Sequence, residues 1–561
     1  MDEAASSSSS SSAGAGAGVA MPDRNARDTA LSTNDRKIPD LKVKSSGIFS
    51  DNEAVIAEAL AYILRVLNSH QLESITSDLI EFGIVSRLVQ LLDRTLQPAV
   101  MQDIIVSMIN IACSTPEIIA VVCREGALPF LLHHMTSPNQ EQRDLALWAV
   151  GNLTCVETQH GECLQDLLRM DLLSHLLWLL NKGTMPSGQK PPPPSLQTLR
   201  HVAWICMNIV RGPPVLTLSV ADACCRMLGE LAFSPDRELI AEVFTALSEI
   251  CQGGDAYIDL VLQQGVLRQL VKVYQEAGVA THAETTDMLT VDVTKNQSVS
   301  STGHNNAPDY QGLAHSKAGN HGLVAANASQ LLLRSSAVRM LTAMSRSCDR
   351  MQFLVLMNPD IGLLSILVGE IDLHTDTRTS IESCHGLKNC ILSAAASDAG
   401  FSETLVHSML SDLASPEIAQ LLDAAIRHGH QDLAMASLEV ISAITCVTPP
   451  SMLVTLLLLG FTHYASFFRT CSLPHSTHVD IGIVKNALSA CHRGLSLLAL
   501  EPQLVNPLSN VVATLPTLLA ALAESLGPLE THNNSDISHA AITINEKTMP
   551  AALAGLGISQ G

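Results

Sequence analysis

The chain is poor in aromatic residues: Phe, Tyr and Trp make up 3% of 561 residues, although 47% of the side chains are hydrophobic. A core of Leu, Ala, Ile and Val with so few rings suits many packed amphipathic helices better than a β-sandwich. Basic charge is also short. Lys and Arg number 33 against 54 Asp and Glu, a formal net charge of −21. That balance argues against a nucleic-acid backbone as partner and favours a basic ligand, or else serves only to keep a long surface soluble. Residues 1–20 are mostly Ser, Ala and Gly with no apolar core, so no signal peptide is expected. The most apolar run, Met452 to Leu459, is too short to span a bilayer, which excludes membrane insertion. The 14 Cys show neither a Cys-x-x-Cys pair nor Cys/His ligand spacing, and no metal or cofactor is expected. They read as small buried thiols of a reducing compartment. The 21 His form no His-Glu-x-x-His or triad-like group, and Gly183 to Lys190 is only superficially like a phosphate loop. Enzyme chemistry therefore has no positive support.

What the chain does have is a cycle. Phe82 to Leu92, Glu125 to Met135, Met170 to Leu180 and Gln264 to Tyr274 each place a turn residue, usually Gly, before a short apolar helix. Gly83 and Gly126 lie 43 residues apart, and Gly126 and Asp171 lie 45 apart. A longer helix follows each short one. A period of about 40–47 residues with two or three helices, and no alternating strands, marks an armadillo or HEAT solenoid. Each unit exposes an apolar face that only its neighbours can cover.

Two of the long helices carry the same pair. Trp148 and Asn152, and again Trp204 and Asn208, stand four residues apart and so share one helix face. A ladder of indoles and amides suits an extended basic peptide: rings flank Lys or Arg stems and attract the cation, while amides bond the peptide backbone. The alternative is that both Trp are ordinary core packing. Other long helices hold weaker versions: Val106 with Asn110, Thr245 with Glu249, Arg339 with Ala343, His385 with Asn389, and Leu438 with Ser442.

The residues Leu147-Trp-Ala-Val-Gly-Asn-Leu153 and Leu199-Arg-His-Val-Ala-Trp-Ile-Cys-Met-Asn-Ile-Val-Arg-Gly212 resemble the importin-α (karyopherin-α) family. So do Leu239 to Gly253 and, less strongly, Met101 to Gly126, Glu382 to Asn389 and Ile483 to Leu488. The resemblance implies an all-α, right-handed superhelical armadillo solenoid of about eight to ten repeats. It implies a nuclear import adaptor, moving between cytoplasm and nucleus, whose concave groove binds the basic nuclear localisation signal of a cargo. Trp148, Asn152, Trp204, Asn208 and Asn110 match the family's main signal-binding site; Arg339, His385 and Asn389 fall at its second, smaller site. Val106, Thr245, His385 and Leu438 stand where the family has Trp, so an armadillo scaffold that has lost signal binding is the competing expectation.

The resemblance also implies an N-terminal segment that binds importin-β. Residues 1–47 read as disordered, and their six basic side chains form no cluster, so that segment is either diverged or absent. The array is expected over 48–500, with loop insertions at 183–195 and 278–330. Residues 501–561 should supply a capping helix over Val511 to Ser525 and a polar end.

Overall fold

Glycine sets the bends. Gly83, Gly126, Gly265 and Gly362 adopt φ of 68°, 82°, 69° and 62°, a left-handed backbone that costs a residue without Cβ nothing. Asp171 takes the same role at φ 65°. Each turns the chain into the next helix: the short Ile84–Leu92, Ala127–His134, Leu172–Leu179 and Leu363–Gly369, or the longer Val266–Met288.

The computed structural model describes residues 38–68, 72–113, 116–155, 162–181, 193–212, 216–288, 320–347, 349–371, 376–395, 418, 421–422, 424–425, 430–447, 464–469, 481–500 and 515–556. Among these residues there is no strand. The long helices are Glu53–Leu67, Pro98–Ala112, Gln140–Leu153, Leu196–Arg211, Arg237–Cys251, Asn320–Met344, Thr377–Ala395, Gln431–Val447 and Ile481–Leu500. Each packs on the next in that order, which is the one-dimensional contact pattern of a solenoid. The buried apolar residues form one continuous cluster from Leu41 to Ala552. The expected armadillo solenoid is the observed fold.

Several boundaries differ from the sequence reading. Ile38–Ser45 is helical, although it falls in the segment read as disordered; Leu41 is buried, and Lys42 and Lys44 lie 5.3 and 5.5 Å from the Phe82 and Tyr62 ring centres. Residues 1–37 lie outside the described residues. Helix Val266–Met288 runs into the expected insertion and Asn320–Met344 begins inside it, while 289–319 lies outside the described residues. Most of 183–195 lies outside them too. The polar end is instead structured. After Leu515–Leu526 come Ser535–Thr543, a π-helical turn at Ile544–Thr548, and Met549–Gly555, which packs on Ile481–Leu500. Ile537, Ala541, Ile544 and Ala552 provide the buried side of this cap, spread too thinly among polar residues to stand out in sequence.

The cysteines also need correction. Cys123 and Cys163 form a disulfide between helices Pro116–Arg124 and Glu162–Arg169, and Cys113 is exposed. Cys206, Cys224, Cys225 and Cys251 are buried thiols as expected.

A buried charge cluster ties the two sides of the 289–319 segment together. Glu370, only 2% exposed in its side chain, accepts hydrogen bonds from Tyr274 Oη–H and from Arg334 Nε and Nη2. The Arg334 guanidinium also lies 5.5 Å from the Tyr274 ring centre. Burial, with the Glu370 carboxylate adding to it, pushes the Tyr274 phenol up, so the hydroxyl stays a donor. Breaking such a pair strands the other charge in the interior. Glu370→Ala should therefore cost about 3–5 kcal/mol, read as a lowered denaturant midpoint.

Candidate peptide-binding groove

The helices that carry Trp148 and Trp204, and the long helix after them, begin on side-chain caps. Asn139 Oδ1 accepts from the Gln142 amide, Ser195 Oγ from Thr198, and Asp236 Oδ1 from Leu239. Their apolar faces then turn inward, burying Ala146, Leu147 and Val150 on one helix and Val202, Ala203, Ile205 and Cys206 on the next. Trp148 and Trp204 are half-buried, Trp148 against the edge of the core, and keep part of their surface open, whereas the third Trp, Trp178, is core at 2% exposure.

Each Trp is bracketed by contacts to neighbouring repeats. Four residues before Trp148, Asp144 accepts from the hydroxyls of Ser195 and Thr198 at the start of the following helix. Four before Trp204, Arg200 binds Asp236 and Glu238 at the start of the helix after that. Four residues after each Trp, the Asn reaches backward. Asn152 Nδ2 donates to Ile109 O at 3.1 Å and to the Cys113 sulfur; Asn208 Nδ2 donates to Gly151 O and Thr154 Oγ1, both at 3.1 Å. Both amide hydrogens of each Asn are thus committed within the array, and both residues are buried at 7% exposure. Asn110, one repeat upstream, donates to Val106 O of its own helix.

The two indoles belong to one stack. The His201 ring lies between them, 5.9 Å from Trp148 at an interplanar angle of 27° and 6.3 Å from Trp204 at 48°. Trp204 also lies flat on the backbone of the preceding helix: a Cβ on Gly151 would come within 2.2 Å of its Cζ3. Neither Gly151 nor His201 stands out in sequence. Each becomes legible only when the 57-residue offset that joins Gly151 O to Asn208 is known.

A family model described as Armadillo/beta-catenin-like repeat matches residues 115–155, which include Trp148 and Asn152. Importin subunit alpha-2 of Arabidopsis thaliana is 28% identical over 246 residues, covering 44% of this chain and 43% of that protein. Importin subunit alpha-1b of Oryza sativa subsp. japonica is 28% identical over 238 residues, covering 42% of each. The chain is similar to the importin alpha subunits over less than half its length, and its fold is an armadillo solenoid. The match spans less than half the length of those curated relatives. An engineered protein of known crystal structure superposes on 93% of this chain and all of its own with a TM-score of 0.58 at 17% identity, a likeness of fold alone.

Along this armadillo array the ladder weakens after Trp204. Thr245 turns its hydroxyl to Ala241 O and Ser336 Oγ, and Glu249 pairs with Arg211 at 2.9 Å. Arg339 and His385 are half-buried on later helices, and Leu438 is 2% exposed and so belongs to the core. Burial first, then Lys388, holds His385 below the ordinary histidine range. Asn389 repeats the backward contact, donating to Thr342 O at 3.3 Å. The structure therefore brings Trp148, Asn152, Trp204 and Asn208 together, keeps Asn110 beside them, and sets Arg339, His385 and Asn389 apart on helices farther along. A cavity of about 940 Å³ lies elsewhere, between Asp255–Gln263 and Arg350–Leu356.

Burial pushes His201 down to about 4, partly opposed by Asp144. The unfolded chain takes up that proton near 6.5, whereas the folded chain resists it until about 4. The neutral imidazole's contribution is thus complete above pH 6.5 and disappears as pH falls toward 4, a loss of about 3 kcal/mol. Denaturant midpoints across that window should show this component in the native chain and lack it in His201→Asn.

Proposed function

We propose that this protein is a non-enzymatic nuclear import adaptor that binds the basic localisation signal of cargo proteins along the Trp148–Trp204 ladder. The observation that carries the reading is the contrast among three Trp residues: Trp178 is packed away, while Trp148 and Trp204 keep open surface on adjacent helices. An open indole attracts a Lys or Arg head and shelters its stem, about 0.5–2 kcal/mol for each contact. Asn152 and Asn208 supply carbonyl oxygens to peptide N–H groups, and Asn110 extends the strip by one repeat. The net charge of −21 adds an attractive field that salt weakens. Residues 1–47 are the candidate contact for importin-β, and the adaptor shuttles between cytoplasm and nucleus. Among the described residues no helix is long and apolar enough to cross a membrane.

A second reading has specific support. The rungs at Val106, Thr245 and Leu438 lack rings, and Arg339, His385 and Asn389 give a second site little aromatic surface. A protein-binding scaffold without signal recognition is consistent with those losses.

Trp148→Ala combined with Trp204→Ala should weaken binding of a labelled lysine-rich signal peptide by about tenfold or more, measured by fluorescence anisotropy. Unchanged affinity would favour the scaffold. Capture of importin-β by the full chain but not by a chain beginning at residue 48 would support the N-terminal contact, and equal capture would refute it.

A further inference from the structure

The proposed groove contains an aromatic group that is neither exposed nor required by the helix it stands on. His201 is 2% exposed and lies on the turn before Trp204, facing back toward the preceding repeat. Its polar edge is poorly served. Nε2 meets Gln197 Nε2 at 3.2 Å, while Nδ1 is buried without a hydrogen-bond partner. The ring itself is what is used: one face stacks on Trp148, and Trp204 packs against it at a tilt. Burial leaves the imidazole uncharged against the opposing pull of Asp144, which faces it from the preceding helix and accepts from Ser195 and Thr198. Arg200, next to it in sequence, is turned to Asp236 and Glu238.

We infer that His201 is a positioning residue for the ladder: clamped between Trp148 and Trp204, its ring makes the two indoles one rigid platform for the cationic side chains of an extended basic peptide. The inference rests on the groove reading above. An indole that must be ordered when ligand arrives gives back part of the contact energy as lost side-chain freedom; one already held by a ring face does not. Gly151 serves the same end from the other side by letting Trp204 lie against the preceding helix. An uncharged ring also avoids repelling an incoming ammonium or guanidinium group.

The test uses the full chain and labelled hexalysine. His201→Ala should weaken binding about tenfold, while His201→Phe, which keeps a planar uncharged ring, should stay within about threefold of the native chain. Native-like affinity in His201→Ala, or equal losses in both variants, would overturn the inference. A second measurement needs no change at His201. In the native chain labelled with 5-fluorotryptophan, hexalysine should shift the Trp148 and Trp204 fluorine signals together and leave Trp178 in place. Movement of only one of the two groove signals would also overturn it. If neither moves, and the double Trp variant binds hexalysine normally, the groove reading itself fails; loss in that variant with native-like His201→Ala removes only the positioning role.

Discussion

The ladder depends on a backward hydrogen bond. Asn152 and Asn208 each give an amide hydrogen to a backbone carbonyl of the preceding long helix, and Asn389 does the same farther along. Helices packed through Leu, Val and Ala alone can slide by a turn at little cost, because one apolar residue replaces another in the contact. A buried amide cannot slide. Moving it off Ile109 O or Gly151 O would leave polar groups unpaired in the interior, a cost of about 1–3 kcal/mol each. These side chains therefore fix the register in which Trp204 meets Gly151.

The forward contacts complete the frame. Asp144 and Arg200 reach the capped start of the helix that follows, one through hydroxyls and the other through carboxylates. A Trp midway between a forward contact and a backward contact has its backbone held at both ends. Its ring stays half-buried against the neighbouring repeat, with part of its surface open. The same pair of devices that stacks the repeats thus presents the indoles, and binding surface and structural register share the same residues.

Much of this was legible in sequence because the armadillo cycle punctuates itself. Gly83, Gly126, Asp171 and Gly265 mark turns that require a left-handed backbone, and the four-residue spacing of Trp148 with Asn152 and Trp204 with Asn208 survives into the structure as a shared face. The structured cap was missed because Ile537, Ala541 and Ile544 are separated by polar residues. The Cys123–Cys163 bond was missed because its partners lie 40 residues apart on different repeats, without a local spacing signal. His201 and Gly151 were missed for the same reason: contacts between repeats depend on an offset that insertions make irregular. The direction of the amides was also invisible, since a sequence places Asn on a face without saying whether its N–H groups look outward or back.

The Tyr274–Arg334–Glu370 cluster has a consequence for how this chain tolerates change. Tyr274 precedes the long excursion between two repeats, Arg334 follows it, and both close on a single buried carboxylate from the next repeat. The stem of the excursion is therefore fastened independently of its length. Loop closure grows more costly only slowly, by about 0.6 kcal/mol for each doubling. A change in the number of residues between Tyr274 and Arg334 should therefore cost the stack little, because the fastening contacts lie outside the segment whose length changes.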